Sequence, residues 1–260
     1  MSSNNPGADR SPNQSARRPD LIGHVAVVVP ARNEAGTIIR TVAAVEGARR
    51  LLPHNVTSSF VVVLDDCTDD TESLIRQARR RGRHSSLIVV GCGARNAGAA
   101  RAVGAAAALE DARRRGALMS ATWVASTDAD TTVPMHWLRS QLLLADQGID
   151  AVAGTVELER NDDPHLRHRF DEVYRVGHDG SHTHVHGANM AMRADVYLAA
   201  GGWRPLACGE DHDLWGRLRQ VGNCVSSTAI AVSTSARLEG RAPGGFAADL
   251  AALHQSETVA

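Results

Sequence analysis

The first half of the chain alternates short, continuous apolar runs with stretches whose apolar positions recur at helical spacing. The runs cover residues 25–29, 60–64, 87–90 and 122–126. Helical patterns include an alanine-rich stretch at about 97–115 and a stretch that carries Pro134 in its first turn. Because strands that are apolar at every position are buried on both faces, the pattern predicts an α/β fold with a mostly parallel sheet flanked by helices.

The second half is less regular, and the chain begins with a polar segment. Strands are predicted at 151–158, 189–192 and 229–232, and helices at 164 to about 176, at 210–221 and near the end. Residues 1–20 are rich in Ser, Asn, Pro and Arg and are predicted to be a disordered leader. Residues 21–260 are predicted to form one domain, with a regular half at 21–133 and an irregular half at 134–260.

Acidic and polar residues follow three of the predicted strands. Ligands of parallel α/β sheets bind beyond the carboxyl ends of the strands, so these residues fall where a site is expected. They are Arg32, Asn33 and Glu34 after the first strand, Asp65 and Asp66 after the second, and Asp128 and Asp130 after the fourth.

The pair Asp128 and Asp130 has two interpretations. Two carboxylates separated by one residue at a strand end can both reach a divalent ion, and hard oxygen ligands suit Mg²⁺ or Mn²⁺. Alternatively, the acidic turn stabilises the N-terminus of the following helix. The motif alone does not decide between them.

Five further segments accompany this motif in order along the chain. They are VVVPARNE at 27–34, VVLDDCTDDT at 62–71, NAGAAR at 96–101, HGAN at 186–189 and EDHDL at 210–214. The series resembles the family 2 glycosyltransferases, whose Rossmann-like fold is called GT-A, and the resemblance covers roughly residues 24–235. It implies a nucleotide-sugar-binding half at 21–133 and an acceptor-binding half at 134–260.

The resemblance also implies roles for single residues of the first half. Residues 30–34 correspond to the first nucleotide-contacting loop, and Asp65, alone or with Asp66, corresponds to the carboxylate that reads the base edge. Arg101 corresponds to an arginine on the helix before the metal motif. The loop residues assigned to the donor are Pro30, Ala31, Arg32 and Glu34.

The motif and the acidic pair complete the implied site. Asp128 is expected near the ribose and the metal, and Asp130 is expected to ligate the metal. Asp211 corresponds to the catalytic base, and Glu210 beside it contacts the acceptor or supports the geometry. Some relatives place a metal-binding His shortly after this helix, but no His occurs between His212 and His254.

Alternating histidines and a basic glycine-rich stretch are two further candidates. His182, His184 and His186 would share one strand face, which suits a metal site or an acceptor pocket, or else they form a polar loop rim. His186 is the best candidate and is counted with Asp128 and Asp130 as a metal ligand. Arg237 and Arg241 belong either to a mobile loop that closes on a diphosphate or to a solvated loop.

Composition narrows the chemistry. All 28 basic residues are arginine, so a lysine Schiff base and a P-loop lysine are excluded, and phosphates must be held by arginines, backbone amides or a metal. The net charge of −1 gives no reason to expect nucleic-acid binding. No apolar run approaches the length of a membrane span, and we therefore expect a cytoplasmic protein. The abundance of Ala, Arg, Gly and Val fits a GC-rich, bacterial coding bias.

The sequence therefore predicts a metal-dependent glycosyltransferase that moves a sugar from a nucleoside-diphosphate sugar to an acceptor hydroxyl. Inversion at the anomeric carbon follows from the resemblance. The alternatives are a sugar nucleotidyltransferase of related fold and an inactive protein that binds a sugar nucleotide. The expected partners are the donor and an acceptor, and a homodimer is left open.

Overall fold

The computed structural model describes residues 20–80, 86–159, 163–177, 182–241 and 244–255. Apart from Asp20, the predicted leader lies outside the described residues. The strands are β1 (His24–Ala31), β2 (Thr57–Asp65), β3 (Leu87–Cys92), β4 (Thr122–Ser126), β5 (Thr131–Thr132), β6 (Ala151–Leu158), β7 (Met190–Arg193) and β8 (Cys224–Thr234). The α-helices are α1 (Ile38–Arg50), α2 (Thr71–Arg80), α3 (Ala97–Arg114), α4 (Trp137–Asp146), α5 (Pro164–Val173), α6 (Ala194–Ala199), α7 (Glu210–Val221) and α8 (Phe246–Gln255).

One sheet runs through the described chain in the order β3-β2-β1-β4-β7-β6-β8-β5. The pairings from β3 to β4 are all parallel, as predicted for the first half. Beyond β4 the sheet is mixed, because β7 is antiparallel to both β4 and β6, whereas β6 and β8 are parallel. The predicted α/β class is confirmed, and the irregular half is the part where the strand direction changes.

The continuous apolar runs form strands that are covered on both faces. Along β1, Val25, Val27 and Val29 belong to one buried cluster, whereas Ala26 and Val28 belong to the other. All five are at most 1% exposed. Successive strand residues point to opposite faces, so an uninterrupted apolar run is what two cores require.

Helix α3 lies close to the sheet because its packing face is made of small residues. A Cβ atom at Gly104 would lie 2.4 Å from Cγ1 of Val28 and 2.7 Å from Cγ2 of Val63. Any larger residue would therefore push α3 away from β1 and β2. This close packing fixes the first turns of α3, which carry Arg101, beside the carboxyl ends of the parallel strands.

Several element boundaries differ from the prediction. Pro134 lies ahead of α4 rather than in its first turn, and its carbonyl accepts the N–H of Trp137, where the helix begins. Helix α5 ends at Val173, and the last strand extends from Cys224 to Thr234, because its pairing with β6 continues through less apolar positions. Within the described residues, every helix falls short of the length and apolarity that crossing a bilayer requires.

Candidate active site

A cavity of about 660 Å³ lies beyond the carboxyl ends of β1, β2 and β4. Eleven of the twelve predicted site residues line it, drawn from both halves of the chain. Asp66 is the exception, since it does not line the cavity and pairs with the side chain of Arg95 instead. The lining residues that the sequence predicted are Pro30, Ala31, Arg32, Glu34, Asp65, Arg101, Asp128, Asp130, His186, Glu210 and Asp211.

Arg101 forms the floor of this cavity and joins its two halves. Its guanidinium donates to Oδ1 of Asp128 at 2.6 Å and, on its other arm, to Oε1 of Glu210. The residue is only 4% exposed, and its guanidinium lies 5.1 Å from the ring centroid of Trp203. Burial opposes the charge, but Asp128, Glu210 and Asp211 outweigh that cost and raise the pKa of Arg101. The floor is a buried cation held by carboxylates from both halves.

Asp211 lies in the first turn of α7, and two backbone amides hold its carboxylate in place. Its Oδ2 accepts the N–H of Gly187 at 2.9 Å, and its Oδ1 accepts the backbone N–H of His212 at 2.8 Å. Gly187 also packs directly on Arg101, because a Cβ atom there would lie 2.4 Å from Nη2 of the guanidinium. A larger residue here would displace the guanidinium, so the segment 186–189 positions the floor arginine and the carboxylate of Asp211 together.

The second carboxylate of the aspartate pair meets an arginine from the opposite side of the cavity. Asp130 lies 3.0 Å from Nη2 of Arg237, whose guanidinium also donates to both oxygens of Glu34 at 2.8 and 2.6 Å. Burial and the nearby charge of Asp128 raise the pKa of Asp130 to about 6, although Arg237 acts in the opposite direction. Arg237 is thus bound to site carboxylates, and the prediction of a mobile loop that closes on a diphosphate stays a prediction beside that of a solvated loop.

The segment that carries Arg237 also contacts the first loop through the backbone. Arg32 donates to the carbonyl of Arg241 at 3.3 Å, and Arg241 donates to the carbonyl of Asn33 at 3.1 Å. Asn33 has a positive φ of 54°, a conformation that asparagine tolerates better than most residues. Residues 237–241 therefore border the cavity on the side of the predicted nucleotide loop.

Asp65 shapes the loop between β3 and α3. Its two oxygens accept the backbone N–H groups of Arg95 and Asn96 at 2.9 and 2.8 Å, and the residue is 3% exposed. Asn96 in turn caps α3 by accepting the N–H of Ala99 at 2.8 Å. The carboxylate of Asp65 thus fixes the entry of the helix that carries Arg101.

Aromatic and histidine rings from the predicted acceptor-binding half line one side of the cavity. We call Tyr174, His184, His186 and Phe246 the aromatic wall. Tyr174 lies 4.8 Å from His184 and 5.4 Å from His186, and Phe246 lies 5.4 Å from His186, measured between ring centroids. Phe170 stacks behind Tyr174 at 4.3 Å. These contacts join α5, the segment 182–186 and α8 into one surface.

The three histidines do not lie on a strand, but their side chains point to the same side, as the alternate spacing predicted. Residues 182–186 have no regular secondary structure. Even so, the rings of His182 and His184 stack at 5.8 Å, and those of His184 and His186 at 6.4 Å. Burial lowers the pKa of His186 to about 4, and its Nε2 is buried without a hydrogen-bond partner. His186 is therefore a neutral ring in the wall.

The donor set at Asp128 and Asp130 fits a divalent ion that is shared with a ligand. Nowhere in the described part of the chain do three His, Cys, Asp or Glu side chains lie close enough to form a metal cage. Mg²⁺ characteristically uses one or two carboxylates together with substrate phosphates and water. Two carboxylates bordering the cavity match that arrangement. The assignment of His186 as a third ligand stays a prediction.

Several cavity residues were missed by the sequence interpretation. They are Tyr174, Phe246 and Asp249, which belong to the predicted acceptor-binding half, and Arg95, which belongs to the predicted donor-binding half. Burial, Asp249 and Asp211 raise the pKa of Tyr174 to about 12, and burial together with Asp211 raises the pKa of Asp249. Aromatic residues make up only 3% of the chain, so each Phe and Tyr could have been considered as a candidate site residue from the sequence. Three of them lie in this cluster.

Comparison with known proteins gives a family match and a shared fold. Residues 22–256 match the model described as "Glycosyltransferase like family 2". Residues 1–349 of TarS from S. aureus, solved in complex with UDP, align with a TM-score of 0.57 and 14% identity over 81% of this chain and 60% of that one. The mannosyltransferase PcManGT from Pyrobaculum calidifontis, solved with GDP-Man and Mn²⁺, aligns with a TM-score of 0.59 and 22% identity.

The PcManGT alignment covers 89% of this chain and 62% of that one. The chain thus spans about 60% of the length of each of these two solved proteins. No curated protein matches it at a significant level. At these identities the alignments show the fold, and the expected GT-A architecture is confirmed.

Proposed function

The chain belongs to the glycosyltransferase-like family 2, and on that premise we propose that it transfers a sugar from a nucleoside-diphosphate sugar to an acceptor hydroxyl. One observation carries the proposal. Arg101 bridges Asp128 of the donor half and Glu210, the neighbour of Asp211, within a single cavity. The groups that a donor requires and the carboxylate that an acceptor requires therefore face the same space.

The donor lies along the residues that follow β1, β2 and β4. The nucleoside contacts the loop from Pro30 to Glu34, with Asp65 at the base edge, and the diphosphate lies beside Asp128 and Asp130. TarS was solved with UDP and PcManGT with GDP-Man, which supports a nucleotide-sugar as the donor class. Arg237 and Arg241, at the border of the same space, supply the positive charge that lysine supplies in other phosphate sites.

Asp130 and Asp128 are the residues that would hold Mg²⁺ or Mn²⁺ together with diphosphate oxygens. The bound ion would neutralise the negative charge that develops on the departing diphosphate. Arg101 fixes the position of Asp128 beside the cavity, because one arm of its guanidinium binds Asp128 while the other is held by Glu210. The PcManGT complex with Mn²⁺ supports the choice of ion class.

Asp211 acts as the general base. The carboxylate takes the proton of the acceptor hydroxyl while the acceptor oxygen bonds to the anomeric carbon and the bond to the diphosphate breaks. Hydrogen bonds from Gly187 and His212 orient the carboxylate before the substrate arrives. Attack from the face opposite the leaving group inverts the anomeric centre.

A thermal-shift screen of nucleotide-sugars with and without Mn²⁺ tests the proposal, since a ligand that binds the native state raises the melting temperature. We expect stabilisation by at least one nucleotide-sugar, enhanced by Mn²⁺, in the unmodified chain and in Asp146→Asn, an exposed substitution outside the cavity. Asp130→Ala should lose the Mn²⁺-dependent part.

The same preparations separate the alternatives. Release of free sugar from the donor, or its transfer to an acceptor, excludes an inactive binding protein. Formation of a nucleotide-sugar from a nucleoside triphosphate and a sugar phosphate would instead indicate a nucleotidyltransferase. Binding and transfer that are both unchanged in Asp130→Ala would overturn the proposed role of the motif.

A further inference from the structure

Three of the nine aromatic side chains of this protein form a cluster on one side of the cavity, whereas its four Trp side chains are buried and do not line it. The chain has three Phe and two Tyr, and three of these five, Phe170, Tyr174 and Phe246, are in mutual ring contact. Phe170 is buried behind the others, whereas Tyr174 and Phe246 line the cavity with His184 and His186. A structural core alone would not need two of its few aromatic rings at a cavity surface.

The arginines of the cavity bind groups outside the aromatic wall. Arg32, Arg95, Arg237 and Arg241 contact the predicted nucleotide loop or the acidic residues beside it, and Arg101 binds Asp128 and Glu210 at the floor. The hydrogen bonds of these five lining arginines are therefore made away from the wall, where His212 is a lining group that can carry positive charge.

Carboxylates take the corresponding place beside the wall. Asp249 lies in the first turn of α8, three residues after Phe246, and lines the cavity together with Asp211. The two carboxylates are close enough for Asp211 to act on Asp249, and both act on Tyr174. The acceptor side therefore combines flat apolar surface with negative charge.

We infer that the aromatic wall and Asp249 form an acceptor subsite for a ring without phosphate or carboxylate groups, namely a neutral sugar ring, alone or joined to an aromatic aglycone. The inference rests on the proposed glycosyl transfer and specifies its acceptor class. The C–H face of a sugar ring and the face of an aromatic ring both pack on aromatic side chains, and Asp249 accepts hydrogen bonds from the ring hydroxyls.

Charge excludes the other class of acceptor. A phosphate or carboxylate placed against the wall would share the cavity with Asp249 and Asp211, whereas the five lining arginines make their hydrogen bonds with other groups. Like charges brought together in a partly desolvated site weaken binding. Beyond the wall, Val173 lines the cavity while 55% exposed, so the mouth also offers apolar surface to an aglycone.

A matched acceptor panel tests the inference with the intact chain and its best stabilising donor. The panel compares methyl glycosides, p-nitrophenyl glycosides, sugar 6-phosphates and uronic acids, by binding to the donor-loaded protein and by transfer. We expect the p-nitrophenyl glycosides to have the lowest KM, and the anionic sugars a kcat/KM about tenfold or more below that of the neutral ones.

Two variants assign the preference to residues. Phe246→Ala should remove the advantage of p-nitrophenyl over methyl glycosides by raising KM. Asp249→Asn should reduce the discrimination against anionic sugars about tenfold. Asp171→Asn is the matched control, because Asp171 is exposed on α5 and does not line the cavity, and it should retain both preferences.

The outcomes distinguish this inference from the proposed function. Failure of every nucleotide-sugar to bind overturns the proposed function itself. With a donor bound, anionic acceptors that equal or exceed neutral rings, the absence of binding by every ring in the panel, or unchanged preferences in both wall variants overturn the acceptor assignment. A preference for neutral rings that both variants weaken supports it.

Discussion

Two arginines flank the Asp128–Ala129–Asp130 motif, and each binds one of its carboxylates, but the two pairs differ in kind. Arg101 lies on α3, is 4% exposed and is held between Asp128 and Glu210. Arg237 lies after β8, has a side chain 28% exposed, and is held between Asp130 and Glu34. One is a fixed part of the floor, and the other borders the open side.

The two arginines therefore differ in role. Arg101 holds the site together, whereas Arg237 can exchange its carboxylate partners for a ligand. A buried charge without its partner is strongly destabilising, so the protein cannot release Arg101 from its carboxylates. Arg237 is partly exposed, so water can take its place beside Glu34 and Asp130, although the side chains of these two carboxylates are only 7% and 13% exposed. We therefore expect Arg101 to matter for stability and function together, and Arg237 to matter mainly for donor binding.

Arg101→Ala should give the largest effect. It leaves Asp128 and Glu210 without their shared cation, and we expect a loss of about 3–5 kcal/mol in the free energy of unfolding and no measurable transfer. Urea unfolding and a transfer assay measure both. Arg101→Lys keeps the charge but cannot bridge both carboxylates, so its stability and transfer rate should lie between those of the unmodified chain and of Arg101→Ala. Arg76→Ala, which breaks an exposed helix pair with Glu72, is the control and should cost less than about 0.5 kcal/mol.

His24 gives a reference for a buried polar group far from the cavity. Its ring contacts the hydroxyls of Thr57 and Ser59 at 2.8 Å each, and burial, followed by Arg115, lowers its pKa from 6.5 to about 4. His24 therefore becomes protonated below about pH 6.5 in the unfolded chain, but only below about pH 4 in the folded chain. Stability from this group is complete above pH 6.5 and falls by about 3 kcal/mol as the pH drops to 4.

Unfolding titrations of the unmodified chain and of His24→Gln measure this dependence. The variant should have a shallower fall in the free energy of unfolding between pH 6.5 and 4, while the affinity for the donor at pH 7 stays the same. An identical slope in both proteins would contradict the assignment of this acid sensitivity to His24.

Gly187→Ala tests whether the floor depends on close packing. The added Cβ would lie 2.4 Å from the guanidinium of Arg101, so the arginine must shift away from its carboxylates. We expect a loss of about 1–3 kcal/mol in stability and a fall in kcat. Gly216→Ala is the matched control, because no atom lies within 4 Å of its added Cβ and alanine favours the helix. Equal effects at both positions would refute the packing argument.

Arg237→Ala should give the smallest change in stability, about 1–2 kcal/mol, because water can reach the partly exposed position of Arg237 and solvate Glu34 and Asp130, whose side chains are 7% and 13% exposed. Its effect should appear in donor binding, with a KM for the nucleotide-sugar raised about tenfold. The exposed Arg139→Ala serves as the control. A stability loss as large as that of Arg101→Ala would remove the distinction between the two arginines.

The elements that the sequence predicted well are those with strong local patterns. Strand β4 and helix α7 have the predicted bounds, since an uninterrupted apolar run and an i, i+4 apolar face define them. Parallel sheets bind ligands at the carboxyl ends of their strands, and this rule predicted a common site for Asp65, Asp128 and Asp130. All three line the one cavity.

The pairings inside the site were not predictable in the same way. Arg101 meets a carboxylate 109 residues away, and Arg237 meets Glu34 across 203 residues. Periodicity reports the environment of a residue within its own element, and it carries no information about which distant charge faces it. The aromatic wall was missed for the same reason, since Tyr174 directly follows α5 whereas Phe246 begins α8, and the two meet only in the folded chain.

Asp211→Asn separates donor binding from proton transfer within the one cavity. Asparagine keeps an oxygen that can accept the N–H of Gly187 but cannot take a proton from the acceptor. Donor affinity and transfer are measured in the same preparation. We expect a donor Kd within about twofold of that of the unmodified chain and a transfer rate lower by about 10²–10⁴. Transfer at the unmodified rate would show that Asp211 is not the base.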